Sequence, residues 1–578
     1  MDKTIRRRVA ADASSLAQAD IHPLLARVYS ARGLQTEADL DLTLGSLIPP
    51  TDLLNAQAAA VLLADALADL KKILIVGDFD ADGATSTALA VSVLRQMGAA
   101  SVDFLVPNRF EYGYGLTPEI VELAADSHPD LIVTVDNGIS SVEGVAAANA
   151  RGIATLVTDH HLAGEQLPMA EVIVNPNQPG CEFPSKNLAG VGVIFYVMLA
   201  LRAELRTRNW FQEQGLQEPN LAHYLDLVAL GTVADVVPLD RNNRILVANG
   251  LQRIRAGQAR PGILALLRVA SKDFRQVVAS DLGFAVGPRL NAAGRLENMS
   301  IGIECLLCED TRTADTYAAR LHQLNLDRRT IEQGMQQDAL QALQAVEIKE
   351  GSELPVAMTL YEPGWHQGVI GIVASRIKDR FHRPTIAFAN GDPGQIKGSA
   401  RSINGIHIRD VLDAVATRHP GLINKFGGHA MAAGLSLAEK DYGRFTQAFV
   451  DEVGRQVDDV NLDAVIESDG ELSHEQFDMQ LANELRFAGP WGQHFPEPLF
   501  DGEFIVVNQR LVGEKHLKLV VMPIGSDVAI DAIAFNVDLE QWPNESTRKV
   551  QLAYRLDVNE FRGSRSLQLM VENLAAAT

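Results

Sequence analysis

Between Lys72 and Pro176 the chain alternates short apolar runs with longer mixed segments. The runs are Ile73-Leu74-Ile75-Val76, residues 104–106, Leu131-Ile132-Val133-Thr134-Val135, Ala154-Thr155-Leu156-Val157 and residues 172–174. Runs of this length, bounded by turn residues, suit strands buried on both faces. The segments between them can be helical, Thr85–Met97 and Ser140–Ala150 most clearly. The pattern predicts a mostly parallel sheet covered by helices on both faces.

Beyond this region the pattern changes. Residues 1 to about 50 are polar, read as helical, and end at the turn signal Ile48-Pro49-Pro50. Helical or irregular segments dominate from 245 to 346, and Ala314–Val346 predicts a long connecting helix. A second α/β region runs from about 353 to 455, with strands at 356–360 and 385–388. The tail carries five short alternating runs at 504–507, 517–520, 529–535, 551–556 and 567–569, which predict a small β-barrel.

Composition narrows the possibilities. A chain of 578 residues is too long for one core. With 47% hydrophobic residues it reads as a folded, water-soluble protein. The formal net charge of −22 argues against nucleic-acid affinity by bulk charge, so any such site must be a local basic groove. The longest uncharged apolar-rich stretch, Asn187–Leu201, is too short and too interrupted by Gly to span a bilayer. The N-terminus lacks the apolar core of a signal peptide. Three cysteines fit a reducing cytoplasm, and Cys305-x-x-Cys308 has no second pair to complete a zinc site.

Candidate chemistry gathers at the ends of the apolar runs. Asp78, Asp80 and Asp82 alternate just past the first, Asp136 directly follows the third, and Asp159-His160-His161 follows the fourth. In parallel α/β sheets the ligand site lies beyond the carboxyl ends of the strands. Carboxylates this close repel one another unless a divalent cation sits among them, and the number of ligands suggests two cations. An EF-hand is excluded, because its twelfth position is Leu89 here. Adjacent imidazoles diverge, so one of His160 and His161 coordinates while the other contacts phosphate or the second metal. Imidazole favours Mn²⁺ over Mg²⁺, and carboxylates suit both. Asp159 is expected to orient a neighbouring imidazole. The constellation points to a two-metal hydrolase of phosphate esters needing no Ser or Cys nucleophile.

These residues resemble the DHH phosphoesterase superfamily, and within it the branch of single-strand-specific DNA exonucleases. Its anchors are Asp-Phe-Asp-Ala-Asp-Gly at 78–83, Asp136-Asn137-Gly138, Asp159-His160-His161, and Gly231-Thr232-Val233-Ala234-Asp235. Gly-Pro-Arg-Leu-Asn-Ala-Ala-Gly-Arg at 287–295 and Gly427-Gly428-His429-Ala430 complete the set. The resemblance implies an α/β multidomain chain: an N-terminal helical segment (1–50), a parallel-sheet DHH catalytic domain (51–310), a connecting helix (311–350), a smaller α/β DHH-associated domain (351–460) and a C-terminal OB-fold (461–578). It selects Asp235 over Asp226 as the remaining metal ligand. Some superfamily members place His where this chain has Val76, and Asp78 is the substitute available. The implied activity is 5′→3′ hydrolysis of single-stranded DNA in repair and recombination, by a cytoplasmic monomer, with a single-strand-binding protein and a helicase as partners.

Expected strand contacts are Arg109 on phosphate and Tyr114 stacking on a base or blocking a duplex, with a plain surface loop as the alternative. Arg289, Asn291 and Arg295 lie in a Gly-rich context and are read as strand contacts or a packed turn. By resemblance, Ser399 and Arg401 hold the 5′ phosphate with Arg109. Gly427-Gly428 before His429 allows close approach of a strand, or is a helix-start turn. Arg510, Lys515 and Lys518 supply local basicity in the barrel, or are simply solvated. Two rival readings remain: a phosphodiesterase of cyclic dinucleotides or very short oligonucleotides, which needs no barrel, and an inactive replication scaffold, which needs no complete ligand set.

Overall fold

The computed structural model describes residues 3–9, 16, 19–108, 112, 115–345, 355–457, 465–539, 541–544, 546–561 and 563–577. The chain divides into two compact units. One comprises Arg7–Leu324 and Glu467–Thr578, and the other centres on Asn325–Ile466.

In the first unit five parallel strands form one sheet: β1 (Lys72–Gly77), β2 (Ser101–Leu105), β3 (Leu131–Val135), β4 (Ala154–Thr158) and β5 (Val172–Val174). Their order is β2-β1-β3-β4-β5. The chain leaves β1 for one neighbour and returns on its other side as β3. The topological switch, where the crevice of such sheets opens, therefore lies at the ends of β1 and β3. All five residues of β3 are buried, which is why its run shows no alternation.

Helix α1 (Ala81–Gln96) follows β1. It begins four residues before the expected Thr85, because Asp80 itself caps it. The Asp80 carboxylate accepts from the amides of Asp82 and Gly83 at 2.9 and 3.0 Å. The acidic cluster is thus half loop and half first helical turn. Helices α2 (Gly190–Thr207) and α3 (Leu225–Ala234) pack on α1. They are followed by α4 (Arg241–Arg255), α5 (Gly287–Leu296) and α6 (Thr311–Ala345), and the division between the units falls inside α6. Asp235 caps α3 at its C-terminal end, and Val236 (φ 63°) breaks the helix after it. No single helix among the described residues is long and apolar enough to cross a membrane.

The expected helical N-terminal segment is less regular than its sequence suggests. Its described residues hold a short strand, Thr4–Arg7, one α-helix, Pro23–Ser30, and short 3₁₀ turns at Glu37–Leu40, Leu44–Ser46 and Pro50–Asp52. Prolines 49 and 50, and hydrogen bonds from the Thr36 and Thr43 amides to the carboxylates of Asp39 and Asp41, compete with a continuous helix. Cys305 and Cys308 each lie near a backbone carbonyl, of Gly262 and Glu304 respectively, and act as packing residues.

In the second unit a five-stranded sheet holds β6 (Met358–Tyr361), β7 (Thr385–Asn390), β8 (Gln395–Arg401), β9 (Lys425–Gly428) and β10 (Ala432–Ala438). The order is β9-β10-β8-β7-β6, parallel only between β6 and β7. Helix α7 (Ile370–Phe381) packs on β7 and β8.

The tail closes into a barrel of β11 (Phe500–Val512), β12 (His516–Pro523), β13 (Ile530–Ala534), β14 (Lys549–Phe561) and β15 (Ser564–Ala576). The order is β11-β12-β13-β15-β14, with β13 and β15 parallel, as in an OB-fold. Phe500, Phe504 and Tyr554 fill it, and its core is continuous with that of the parallel sheet. Asp469 ties the barrel's approach to the N-terminal segment. Its carboxylate takes both Arg32 guanidinium nitrogens, at 2.8 and 2.9 Å, and the Leu499 amide at 3.0 Å.

Both members of the Arg32–Asp469 pair are 1% exposed. Asp469→Ala leaves a buried, unpaired guanidinium and is expected to cost about 3–5 kcal/mol, read as an early thermal transition. The double variant Arg32→Met/Asp469→Leu should recover part of that loss. A melting curve unchanged by Asp469→Ala would refute the role of this pair.

Candidate metal centre

The chain brings its acidic residues together with backbone donors and glycines. Asp82 is 1% exposed, and its two oxygens accept from the amides of Gly190 at 2.6 Å and Val191 at 2.9 Å. These are the first two residues of α2, so the positive end of that helix holds the carboxylate. A Cβ on Gly190 would stand 2.6 Å from the Asp136 side chain, so only glycine lets α2 come this close. On the other side, Asn291 of α5 accepts the Ala81 amide at 2.7 Å. A Cβ on Gly294 would meet the Phe79 carbonyl at 1.9 Å.

Asp136 has a left-handed backbone (φ 63°) and is 2% exposed. Beside it, the Asn137 amide donates to the carbonyls of Val76 and Val135, clamping the ends of β1 and β3 together. Asp159 is 1% exposed, and its Oδ1 accepts from the amides of His160 and His161 and from His161 Nδ1 at 2.7 Å. Asn177 and Asn175 donate to the carbonyls of His160 and His161.

His160 Nε2 is buried without a hydrogen bond and stands 3.1 Å from Asp136 Oδ1 and 3.5 Å from Asp235 Oδ2. Three ligand groups result, each with its atoms within 4.8 Å of one another: Asp136 with His160 and His161, Asp82 with His160 and Asp235, and Asp78 with Asp80 and Asp136. Asp136 and His160 each belong to two groups, which places them between neighbouring positions.

Burial raises the Asp82 and Asp136 carboxyls well above the ordinary range, and neighbouring carboxylates raise them further. Burial also raises Asp235. Burial lowers His160, which keeps it neutral and ready to coordinate. At His161 burial opposes protonation, but the hydrogen bond and charge of Asp159 outweigh it and push the ring up to about 9. Such a donor set fits divalent cations, whose binding would displace the protons these carboxyls retain.

All seven expected ligands thus converge. Of the expected strand contacts, Arg109 and Tyr114 lie outside the described residues. Asn291 uses its side-chain oxygen on Ala81. Arg289 is 7% exposed and donates to the Ala285 carbonyl and His322 Nδ1, so it braces α5 from within, while Asn291 stays half-buried. Arg295 is half-buried on the same helix. In the second unit Arg401 Nη1 donates to Ser399 Oγ at 3.0 Å. A Cβ on Gly371, in the first turn of α7, would lie 2.8 Å from both side chains, so that helix start abuts the pair. His429 is exposed in the turn between β9 and β10. Arg510 and Lys515 are exposed at the end of the barrel, whereas Lys518 pairs with Asp531 at 2.8 Å and so contributes less basicity than expected.

The amides of Gly190 and Val191 were not foreseen. Backbone donors carry no residue signature, and Asn187–Leu201 stands out in the sequence only as apolar. Asn137 was legible as a turn residue but not as a clamp.

The chain matches the DHH family, N-terminal domain, over residues 72–232, the DHHA1 domain over 354–455 and the RecJ OB domain over 468–573. It is 59% identical to a protein of Dickeya dadantii named single-stranded-DNA-specific exonuclease RecJ, covering 95% of this chain and 96% of that one. The protein of that name from Escherichia coli is 54% identical, over 99% and 98%. Among solved structures, RecJ from Thermus thermophilus in complex with Mn²⁺ superposes with a TM-score of 0.81 at 29% identity, over 100% of this chain and 80% of that one. A complex of the same protein with Mg²⁺ gives 0.75 at 28%, over 100% and 79%.

Removing one like charge should stabilise the metal-free cluster. In EDTA at pH 7, Asp136→Asn is expected to melt above wild type, by about 1 kcal/mol or more. The raised carboxyls hold protons in the folded state that the unfolded chain, near 3.8, has released. The wild-type penalty is therefore full above the raised values and absent below about 3.8, so the gap should close as pH falls from 7 toward 4. A variant melting below wild type at pH 7 would contradict this.

Proposed function

The chain belongs to the RecJ family of single-stranded-DNA-specific exonucleases, and from that premise we propose that it removes nucleotides from the 5′ end of single strands. It is a metal-dependent phosphodiester hydrolase. The observation that carries this reading is the set of three ligand groups at the sheet switch point, sharing Asp136 and His160. The residues that would hold the cations are Asp78, Asp80, Asp82, Asp136, His160, His161 and Asp235. Bound Mn²⁺ or Mg²⁺ supplies Lewis-acid charge for the scissile phosphate and lowers the pKa of attacking water.

The chain's own residues do the rest. The amides of Gly190 and Val191 fix Asp82, and Asp159 fixes the orientation of His161. Neutral His160 presents Nε2 toward Asp136 and Asp235. Ser399 and Arg401, on β8 beside the start of α7, suit a terminal phosphate, because a guanidinium, a hydroxyl and a helix N-terminus all favour an oxyanion. Arg510 and Lys515 suit the backbone of a strand on the barrel. The barrel, matched over 468–573, weighs against a phosphodiesterase of cyclic dinucleotides, and the full ligand set weighs against an inactive scaffold. The reading extends to a cytoplasmic monomer acting in repair and recombination, with a single-strand-binding protein and a helicase as partners.

End-labelled single-stranded DNA should be digested from its 5′ end with Mn²⁺, while duplex and dinucleotide controls persist. Asp80→Ala should lose at least about a thousandfold in rate, or ~4 kcal/mol, with its circular dichroism unchanged. Digestion that survives EDTA, or that Asp80→Ala leaves intact, would overturn the metal assignment.

Arg401→Ala should selectively remove the advantage of a 5′-phosphorylated strand over a 5′-hydroxyl strand. Charge-assisted bonds contribute ~1.5–3 kcal/mol each, so the preference should fall at least about tenfold. Equal slowing of both strands would mean that Arg401 does not read the terminus.

A further inference from the structure

A cavity of about 280 Å³ lies between the N-terminal segment, the start of α4 and the approach to the barrel, all within one compact unit. Arg32, Arg241, Arg244, Asn187, His494 and Phe495 are among its walls. Arg244 is the anomaly. It is 7% exposed, its Nε is buried without a hydrogen bond, and no described carboxylate pairs with it. Its guanidinium lies over the Phe495 ring at 4.3 Å. A ring face offsets only part of the cost of burying a charge.

The cavity's carboxylates, Asp39 and Asp240, act on Arg244 only from a distance, because their oxygens are held by other donors. Asp39 accepts from the amides of Gln35 and Thr36 and from the Thr36 hydroxyl. Asp240 accepts from the Asn243 amide, the Ser185 hydroxyl and the Asn187 amide group. Arg32 is taken by Asp469, while Arg241 is exposed at the rim. A buried guanidinium with no carboxylate at ion-pair distance, facing a cavity large enough for an anion, is a site for a tetrahedral oxyanion.

We propose that this cavity is a phosphate site, filled by inorganic phosphate or by the phosphate of a nucleoside monophosphate, and felt at the metal centre. The connection is short on both sides. Pro238 and Leu239 line the cavity and follow Asp235 by three and four residues, and Asn187 precedes Gly190 by three. The segments that wall the cavity therefore also supply Asp235 and hold Asp82. The nucleotide arm rests on the exonuclease reading, since a nucleoside monophosphate is then the product. Binding itself does not depend on that reading.

The test is thermal melting of the full chain in EDTA and phosphate-free buffer at constant ionic strength, titrated with inorganic phosphate, deoxyadenosine monophosphate or deoxyadenosine. The Arg401→Ala background removes the proposed terminal-phosphate site. At about a hundredfold excess over Kd the midpoint should rise by roughly 2–3 °C with either phosphate, and not with deoxyadenosine. Arg244→Gln should abolish the rise, and comparing the two proteins cancels the general salting effect of phosphate. Whichever phosphate saturates at the lower concentration is the source. Should Arg244→Gln not fold, Arg241→Gln should move the saturating concentration several-fold upward. No rise in the parent, or an equal rise in Arg244→Gln (with Arg241→Gln likewise unchanged), overturns the site. Because metal and activity play no part, failure here is separate from failure of the exonuclease reading.

Discussion

Like-charge repulsion among buried carboxylates is the constraint on which the rest of the structure depends. Asp82 and Asp136 are almost fully buried, and Asp78, Asp80 and Asp235 stand close by. Left in water, these side chains would separate. The fold prevents this with α2, whose first amides grip Asp82, and with Asn137, which locks the ends of β1 and β3. Asn291 and Gly294 bring α5 against the same loop from a remote part of the chain. The protein thereby holds an electrostatic cost that a bound cation relieves, and such a cost is a mark of a functional site.

The histidine pair shows how environment divides two identical side chains. His161 is fixed by Asp159 and pushed up to about 9, whereas burial keeps His160 neutral with a bare Nε2 toward two carboxylates. Asp159 shapes the site without itself belonging to any of the three ligand groups. Its other oxygen takes the Ile139 amide, so one buried carboxylate links the ends of β3 and β4.

The sequence was most informative where a strand is buried on both faces and ends in a metal-type side chain. The run 73–76 marked the position of β1 and showed Asp78, Asp80 and Asp82 just past its end, where the three candidate ligand groups gather. The five alternating runs of the tail likewise marked five barrel strands. What escaped was of two kinds. Backbone donors such as the Gly190 amide have no side chain to recognise, and contacts such as Asn291 to Ala81 join residues far apart in sequence. Asp80 as helix cap is legible from its type and place, but an aspartate in an acidic cluster carries a coordination signal and a capping signal at once. Arg244 carried no sequence signal, because an arginine in an amphipathic helix is ordinarily solvated.

The shared positions of Asp136 and His160 imply two cations in adjacent sites, and counting them tests the account most directly. Equilibrium dialysis of the full chain against Mn²⁺ should give two ions per chain for wild type. Asp136→Asn should hold at most one under the same conditions, because a single side chain serves both positions. One ion per chain in wild type, or two held with unchanged affinity by Asp136→Asn, would contradict it.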